Sequence, residues 1–168
     1  MRKHILILFL IIISFHIPCR AQFEFKAQTA FSYIEHFSTG LSFEFSGKRN
    51  ISILYGSNFF IKPNSFSSYM LQYERYFNKV EFAGITPELG IKGGYSVFTD
   101  KYYRWTLFVI VPFAGLSYRI NDYIDLAFDF GIAYSRELSL KRVGFGNIGN
   151  YKEFLPELKL TLYYKLNR

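Results

Sequence analysis

Large apolar side chains occupy every second position along most of this chain, in runs of about ten residues. A period of two marks an extended strand, whose successive side chains point to opposite faces; a helix would repeat every 3.6 residues. The last run is the clearest: Leu158, Leu160, Leu162, Tyr164 and Leu166 alternate with Lys159, Thr161, Tyr163 and Lys165. Before it, Ile124, Leu126, Phe128, Phe130, Ile132 and Tyr134 oppose Asp125, Ala127, Asp129, Gly131, Ala133 and Ser135. The same reading gives strands at Phe23 to Phe31, Leu41 to Ser46, Ile51 to Gly56, Tyr69 to Phe77, Glu88 to Val97 and Phe108 to Ile120. The last of these is apolar on both faces at its start, and Arg75 breaks the apolar face of its segment. Eight segments of this length and parity are what a closed up-and-down barrel requires.

The connections follow the same plan. Gly47 to Asn50 and Asn121 to Tyr123 are tight turns in which Gly, Asn and Asp supply backbone freedom, and Asn78 to Gly84 is somewhat longer. Ile34 to Thr39, Phe60 to Ser68, Thr99 to Thr106 and Glu137 to Glu153 are expected to be the longer loops. With the N-terminus on the periplasmic side, every short turn falls at that end and every long loop outside.

Two closed barrels share this alternation. A soluble lipocalin-like barrel turns its apolar face inward, and a membrane barrel turns it outward. Side-chain size decides between them. The polar face carries Gly90, Gly94, Gly115, Ala127, Gly131 and Ala133, whereas the apolar face carries Phe, Tyr, Leu and Ile. An eight-stranded interior is only just wide enough for side chains, so the small and charged face belongs inside. The lumen charges are then Glu24, Lys26, Glu44, Glu74, Glu88, Lys92, Arg119, Asp125, Asp129, Lys159 and Lys165. Both signs occur on neighbouring strands, which predicts a lumen plugged by ion pairs. Tyr69, Tyr102, Tyr103 and Trp105 at the outer end, and Tyr118, Tyr123 and Tyr164 at the inner end, are expected to form interfacial girdles.

Residues 1–21 read as an export signal. Arg2, Lys3 and His4 form a basic head, Ile5 to Ile13 an apolar run, and Ala21 a small residue at the cleavage point before Gln22. The alternatives are a helical anchor, for which the run is short of the roughly 20 residues a bilayer needs, and lipid attachment at Cys19. Cleavage would remove Cys19, the single cysteine, together with His4 and His16, leaving His36 as the one histidine. Disulfides and cysteine-ligated metals are thereby excluded. Arg2, Lys3 and Arg20 would leave too, lowering the formal net charge from +7 to +4. That excess is scattered over alternating segments and forms no basic stripe, so no nucleic-acid partner is expected.

On this architecture and on its last strand the chain resembles the OmpA/OmpX-like small outer-membrane barrels, a porin-like family, from Gln22 to Arg168. Lys159, Thr161, Tyr164 and Leu166 are similar to the C-terminal signal read by the barrel-assembly machinery, with Thr161 standing where Gly is usual. The resemblance implies that machinery, outer-membrane lipid and lipopolysaccharide as partners. Members are variously structural or adhesive, so the resemblance fixes a class and not a task.

Chemistry is sparse. One histidine with scattered carboxylates points to no metal and no cofactor. Gly144-Phe145-Gly146-Asn147-Ile148-Gly149 contains G-x-G-x-x-G but lies in an expected outer loop and opens no helix, so it is not a nucleotide site. His36-Phe37-Ser38 looks like the H-x-S pair of lipid A deacylases, with Glu35 or Glu44 as an orienting acid. Thr39 stands where Asn follows in that family, and the pair sits near the first loop, not on a late strand. The expectation is therefore an all-β chain: a signal-peptide helix over 1–21, then one eight-stranded antiparallel up-and-down transmembrane β-barrel over 22–168. It is expected in the outer membrane of a Gram-negative-type bacterium, as a monomer with a structural or surface-interaction role. A lipid A-modifying hydrolase using His36, Ser38 and Glu44, and a small-solute channel, are the alternatives.

Overall fold

The computed structural model describes residues 23–32, 36–57, 65–78, 82–99, 103–142 and 152–166. The expected signal peptide and the boundary at Ala21 lie outside these residues, as does Tyr102. Eight antiparallel strands run in chain order: β1 (Phe23–Ser32), β2 (His36–Phe45), β3 (Arg49–Ser57), β4 (Ser65–Tyr76), β5 (Ile85–Thr99), β6 (Tyr103–Arg119), β7 (Ile124–Arg142) and β8 (Lys152–Lys165). Each pairs with its neighbour in sequence, and β1 closes on β8 from Lys26↔Lys165 to Ser32↔Lys159. Over that stretch neither β1 nor β8 is a free edge. No helix among the described residues is long and apolar enough to cross a membrane, a statement that does not bear on strands.

The turns at one end are built from the residues that permit them. Ser46 and Gly47 both have positive φ, and Lys48 N–H donates to Phe45 O at 3.1 Å, so a primed turn lies within the three-residue connection between β2 and β3. Asn78 Nδ2 donates to Gly47 O at 2.6 Å and ties the β4 end to this turn. Ala83 and Gly84 repeat the positive-φ pair between Phe82 and Ile85, which exchange two backbone hydrogen bonds. Asn121 Oδ1 accepts the N–H groups of Tyr123 and Ile124 at 2.8 and 2.9 Å, an Asx turn before β7.

At the other end the strands run further than the apolar alternation suggested. β2 begins at His36 and β4 at Ser65, β6 begins at Tyr103, β7 extends to Arg142, and β8 starts at Lys152. Only residues 33–35 and 100–102 then separate β1 from β2 and β5 from β6. The expected alternation of short and long connections is corrected accordingly, since residues 77–84 at the opposite end form a longer connection than either. Backbone pairing continues through polar residues, such as Arg104↔Lys141, where the apolar pattern has stopped. The asymmetry lies in strand length: β1, β2 and β3 have 10, 10 and 9 residues, whereas β6 and β7 have 17 and 19.

Parity sorts the faces. Leu41, Ile53, Leu71, Ile91, Phe128, Phe130, Leu160 and Leu162 are exposed on the outside. Lys26, Gln28, Ser42, Ser52, Gln72, Glu74, Glu88, Lys92, Asp129 and Lys159 are buried inside. Towards the long-strand end the lumen turns apolar, where Leu54, Met70, Val109, Val111 and Ala133 pack together with Leu107 against them. Leu54↔Met70, Met70↔Gly94 and Gly94↔Val109 are successive cross-strand partners, so Leu54, Met70 and Val109 form one row round the wall, with Val111 in the next inward row.

Candidate functional site

The charged part of the lumen has two centres. The first lies near the turn end. Lys26 Nζ contacts the Glu44 carboxylate and Asp125 Oδ2, the latter at 2.8 Å, and stands 3.9 Å from Glu24 Oε2. Lys165 reaches the same acids, 3.3 Å from Glu24 and 3.7 Å from Asp125. Glu24 directly faces Glu44 across β1–β2, and Lys26 faces Lys165 across β1–β8. Like charges opposite one another would repel; the side chains instead meet opposite charges diagonally. Arg119 Nε lies 3.7 Å from Asp125, but its side chain is 66% exposed, so it caps the network from the rim. A cleft of about 50 Å³ opens here, bounded by Lys26, Glu44, Tyr76, Arg119 and Asp125.

The second centre lies deeper. Glu74 on β4, Glu88 on β5 and Asp129 on β7 offer carboxylate oxygens within 4.8 Å of one another, all buried. Glu74 is surrounded by donors: Asn50 Nδ2 at 2.6 Å, Tyr163 Oη at 2.7 Å, Tyr76 Oη at 3.3 Å, and Gln72 Nε2. Lys159 Nζ stands 2.9 Å from Asp129 Oδ2, yet Asp129 accepts no hydrogen bond. The contact is an ion pair of oblique geometry, and Lys159 donates to Gln72 Oε1 at 2.8 Å. Neither oxygen of Glu88 has a hydrogen-bond partner. Lys92 pairs with Glu157 at 2.9 Å elsewhere in the lumen.

Glycines make room for these groups. A Cβ on Gly90 would lie 2.2 Å from Phe113 Cζ, so the Phe113 ring crosses the lumen only because β5 has no side chain there. Lys159 Nζ sits 4.8 Å from the centre of that ring. A Cβ on Gly115 would lie 2.1 Å from Asp129 Oδ1 and 3.1 Å from Glu88 Oε1.

Every charge assigned to the lumen from the sequence has inward parity, but Glu157 was not among them, nor was the apolar plug. Both were readable. Glu157 shares parity with Lys159, and Leu54 and Met70 interrupt the polar face of two adjacent segments. The expected girdle residues Tyr69, Tyr118, Tyr123 and Tyr164 are exposed on the outside, and Trp105 packs against Phe98 with ring centres 5.4 Å apart. Tyr55 against Tyr69 and Tyr134 against Phe154 add aromatic pairs the sequence reading left out. In the C-terminal strand, Lys159 and Thr161 point inward and Tyr164 and Leu166 outward.

The hydrolase constellation does not assemble. His36 has positive φ, and the β2–β3 register shifts between His36 and Phe37. That bulge breaks the alternation that was to align His36 with Ser38. The exposed His36 ring instead stands edge-on to Phe66, 6.2 Å between centres. Ser38 is buried and its Oγ has no hydrogen-bond partner. Glu44 is eight residues further along β2, about 26 Å away at 3.3 Å per residue, and engaged by Lys26. Glu35 lies outside the described residues.

No protein-family model and no curated protein sequence matches the chain. Solved structures do. Neisserial surface protein A aligns over 87% of this chain and 96% of its own, at 15% identity and a TM-score of 0.44. The N-terminal β-barrel domain of Pseudomonas aeruginosa OprF aligns over 88% and 100%, at 15% identity and 0.48. A major outer membrane protein of Thermus thermophilus aligns over 86% and 100%, at 11% identity and 0.48. The fold assignment rests on this chain's own strand register and not on these likenesses. By that register the chain has the architecture of the OmpA/OmpX-like small barrels: eight antiparallel strands, closed, with the charges inside.

Proposed function

We propose that this chain is a small integral barrel of a bacterial outer membrane, with a plugged lumen and a structural or surface-interaction role. One observation carries the reading: the distribution of polarity is the reverse of a soluble barrel's. Phe128, Phe130, Ile132, Leu158, Leu160 and Leu162 form a continuous exposed apolar band on two adjacent strands, and Leu41, Ile53, Leu71, Leu89 and Ile91 continue it round the wall. Monomeric soluble proteins rarely expose patches beyond a few hundred Å². Tyrosines stand near both ends of the band, and Arg49 faces Arg75 on the outside near the turn end, where long basic side chains can reach lipid headgroups. Strands of 9–12 residues in β1 to β4 match the length needed to cross the hydrocarbon at a barrel tilt. The interior leaves little for a solute to pass: ion pairs fill one half, and Leu54, Met70, Val109 and Val111 fill the other.

Membrane fractionation tests the address. The chain should sediment with outer membranes, need detergent for extraction, and migrate differently on gels before and after heating. Folded protein in the aqueous fraction would refute the reading. Planar-bilayer recording tests the plug; a large, stable conductance would favour the channel instead.

A further inference from the structure

We infer that Arg49 and Arg75 together hold the phosphate of an anionic phospholipid, in the leaflet at the turn end of the barrel. The inference deepens the proposed membrane role and rests on it. Arg49, the first residue of β3, and Arg75, one residue before the end of β4, are direct cross-strand partners on the outer face, and both are exposed. Tyr76 N–H donates to Lys48 O at 2.8 Å, so the ladder's hydrogen bonds flank the two arginines and do not join them. Theirs is therefore the closer of the two antiparallel pairings, with Cα atoms about 4.5 Å apart and side chains leaving the wall together. Like charges so placed destabilise the sheet unless an anion stands between them.

Among the described residues the protein supplies no such anion. Neither arginine makes an ion pair there, and Arg75 has only the Phe77 ring, 5.6 Å from its Cζ to the ring centre. Glu74, beside Arg75 in the chain, points into the lumen and is engaged by Asn50 and Tyr163. Lys48 in the adjoining turn is exposed and adds a third positive charge. The surroundings say what kind of anion fits. Along the row the pair is flanked by Phe45 on β2 and Leu89 on β5. One outward step towards mid-strand stand Ile51 and Tyr73, and one step beyond them Ile53 and Leu71, both exposed. Charge thus borders directly on the apolar band. A phosphate accepts paired N–H groups from planar guanidinium forks. An inorganic phosphate would leave the apolar stripe above it bare, whereas a phospholipid has an acyl chain to lay along it. A zwitterionic headgroup would bring its own ammonium into a site already holding three positive charges, so the anionic kind is favoured. The inference also accounts for the arginine that breaks the apolar face of β4: Arg75 stands where hydrocarbon gives way to headgroups.

The test is native mass spectrometry of the barrel refolded into detergent micelles that contain phosphatidylglycerol and phosphatidylcholine in equal amounts. Folding is checked by circular dichroism and by heat-modifiable migration. The unmutated barrel should retain phosphatidylglycerol over phosphatidylcholine by at least about fivefold, the effect of one basic residue near an anionic lipid surface. The double variant Arg49→Gln, Arg75→Gln should retain the two lipids equally. Arg136→Gln, which removes an exposed charge from β7 at the opposite end, should keep the preference. A folded, unmutated barrel without the preference would overturn the inference, whatever the variants do. A preference that survived the double variant, or fell as far with Arg136→Gln, would overturn it too, because net charge and not this pair would then draw the lipid. Inorganic phosphate retained in place of the lipid would overturn the lipid assignment. A chain that stayed folded in buffer without detergent would overturn the membrane reading and this inference with it, whereas a folded micellar barrel without the preference would overturn this inference alone.

Discussion

Phe128→Arg separates a lipid-facing wall from a solvent-facing one. Phe128 lies on the outside of β7, 52% exposed. The ten steps from Ile124 to Tyr134 rise about 25 Å along the axis, taking about 3.3 Å per residue and a tilt near 40°, which is the height of the apolar band of such barrels. Phe128 is therefore within about 3 Å of the midplane. An arginine there costs about 2–4 kcal/mol, and losing half the burial of a phenylalanine adds about 1 kcal/mol. The expected loss is about 3–5 kcal/mol. Tyr134→Arg, at the margin of the band, should cost only about 0–1 kcal/mol for the charge. Ala127→Ser is the inward control: it faces Thr161, whose buried hydroxyl has no partner, and should cost less than about 1 kcal/mol. Urea unfolding from lipid vesicles, followed through Trp105, the single tryptophan, gives all three values. On a solvated wall the Phe128 change would stay within about 0.5 kcal/mol, as surface substitutions do. A loss at Phe128 no greater than at Tyr134 would refute the orientation of the barrel.

Three further outcomes follow from the lumen and the rim. Lys26→Met leaves Glu44 and Asp125 without their shared cation and should cost about 3–5 kcal/mol in the same assay; adding Glu44→Gln should recover part of it. Gly90→Ala should cost about 1–3 kcal/mol by overpacking, and adding Phe113→Leu should relieve the ring contact but not the approach to Tyr73 O at 2.6 Å. Mass spectrometry of lipid A should find the same acylation in cells with the protein, without it, and with His36→Ala or Ser38→Ala. Loss of one acyl chain that depends on both residues would displace the structural reading.

Strand number, parity and facing were legible because each depends on a side chain's place in its own strand. Leu158 to Leu166 alternates over a whole strand, and its outward row is the one found exposed. Strand ends were less legible because apolar alternation reports contact with lipid, whereas backbone pairing needs only a neighbouring strand. Glu137 to Arg142 pairs with β6 and has no clean apolar alternation, so it read as part of a loop. His36 failed for a related reason: parity holds only while the register does, and a positive φ beside a bulge cancels it.

The acid cluster was out of reach for a deeper reason. The sequence assigns Glu74, Glu88 and Asp129 to the lumen one at a time, and it assigns Lys159 there with equal weight. Nothing in their spacing says that Glu88 meets Asp129 and not a lysine. That follows from the register of two hairpins, which sets Gly115 between the acids and Lys159 beyond them. A one-residue slip of β5 against β6 would turn Glu88 outward, because the side-chain period is two. The register is held by the whole apolar outer row and by backbone pairing of β5 with β6 as far as the Arg119 N–H donated to Gly84 O, features that carry no side-chain charge. The wall therefore fixes which lumen charges face one another, and a residue such as Gly115, mute by itself, decides whether two carboxylates can share one site.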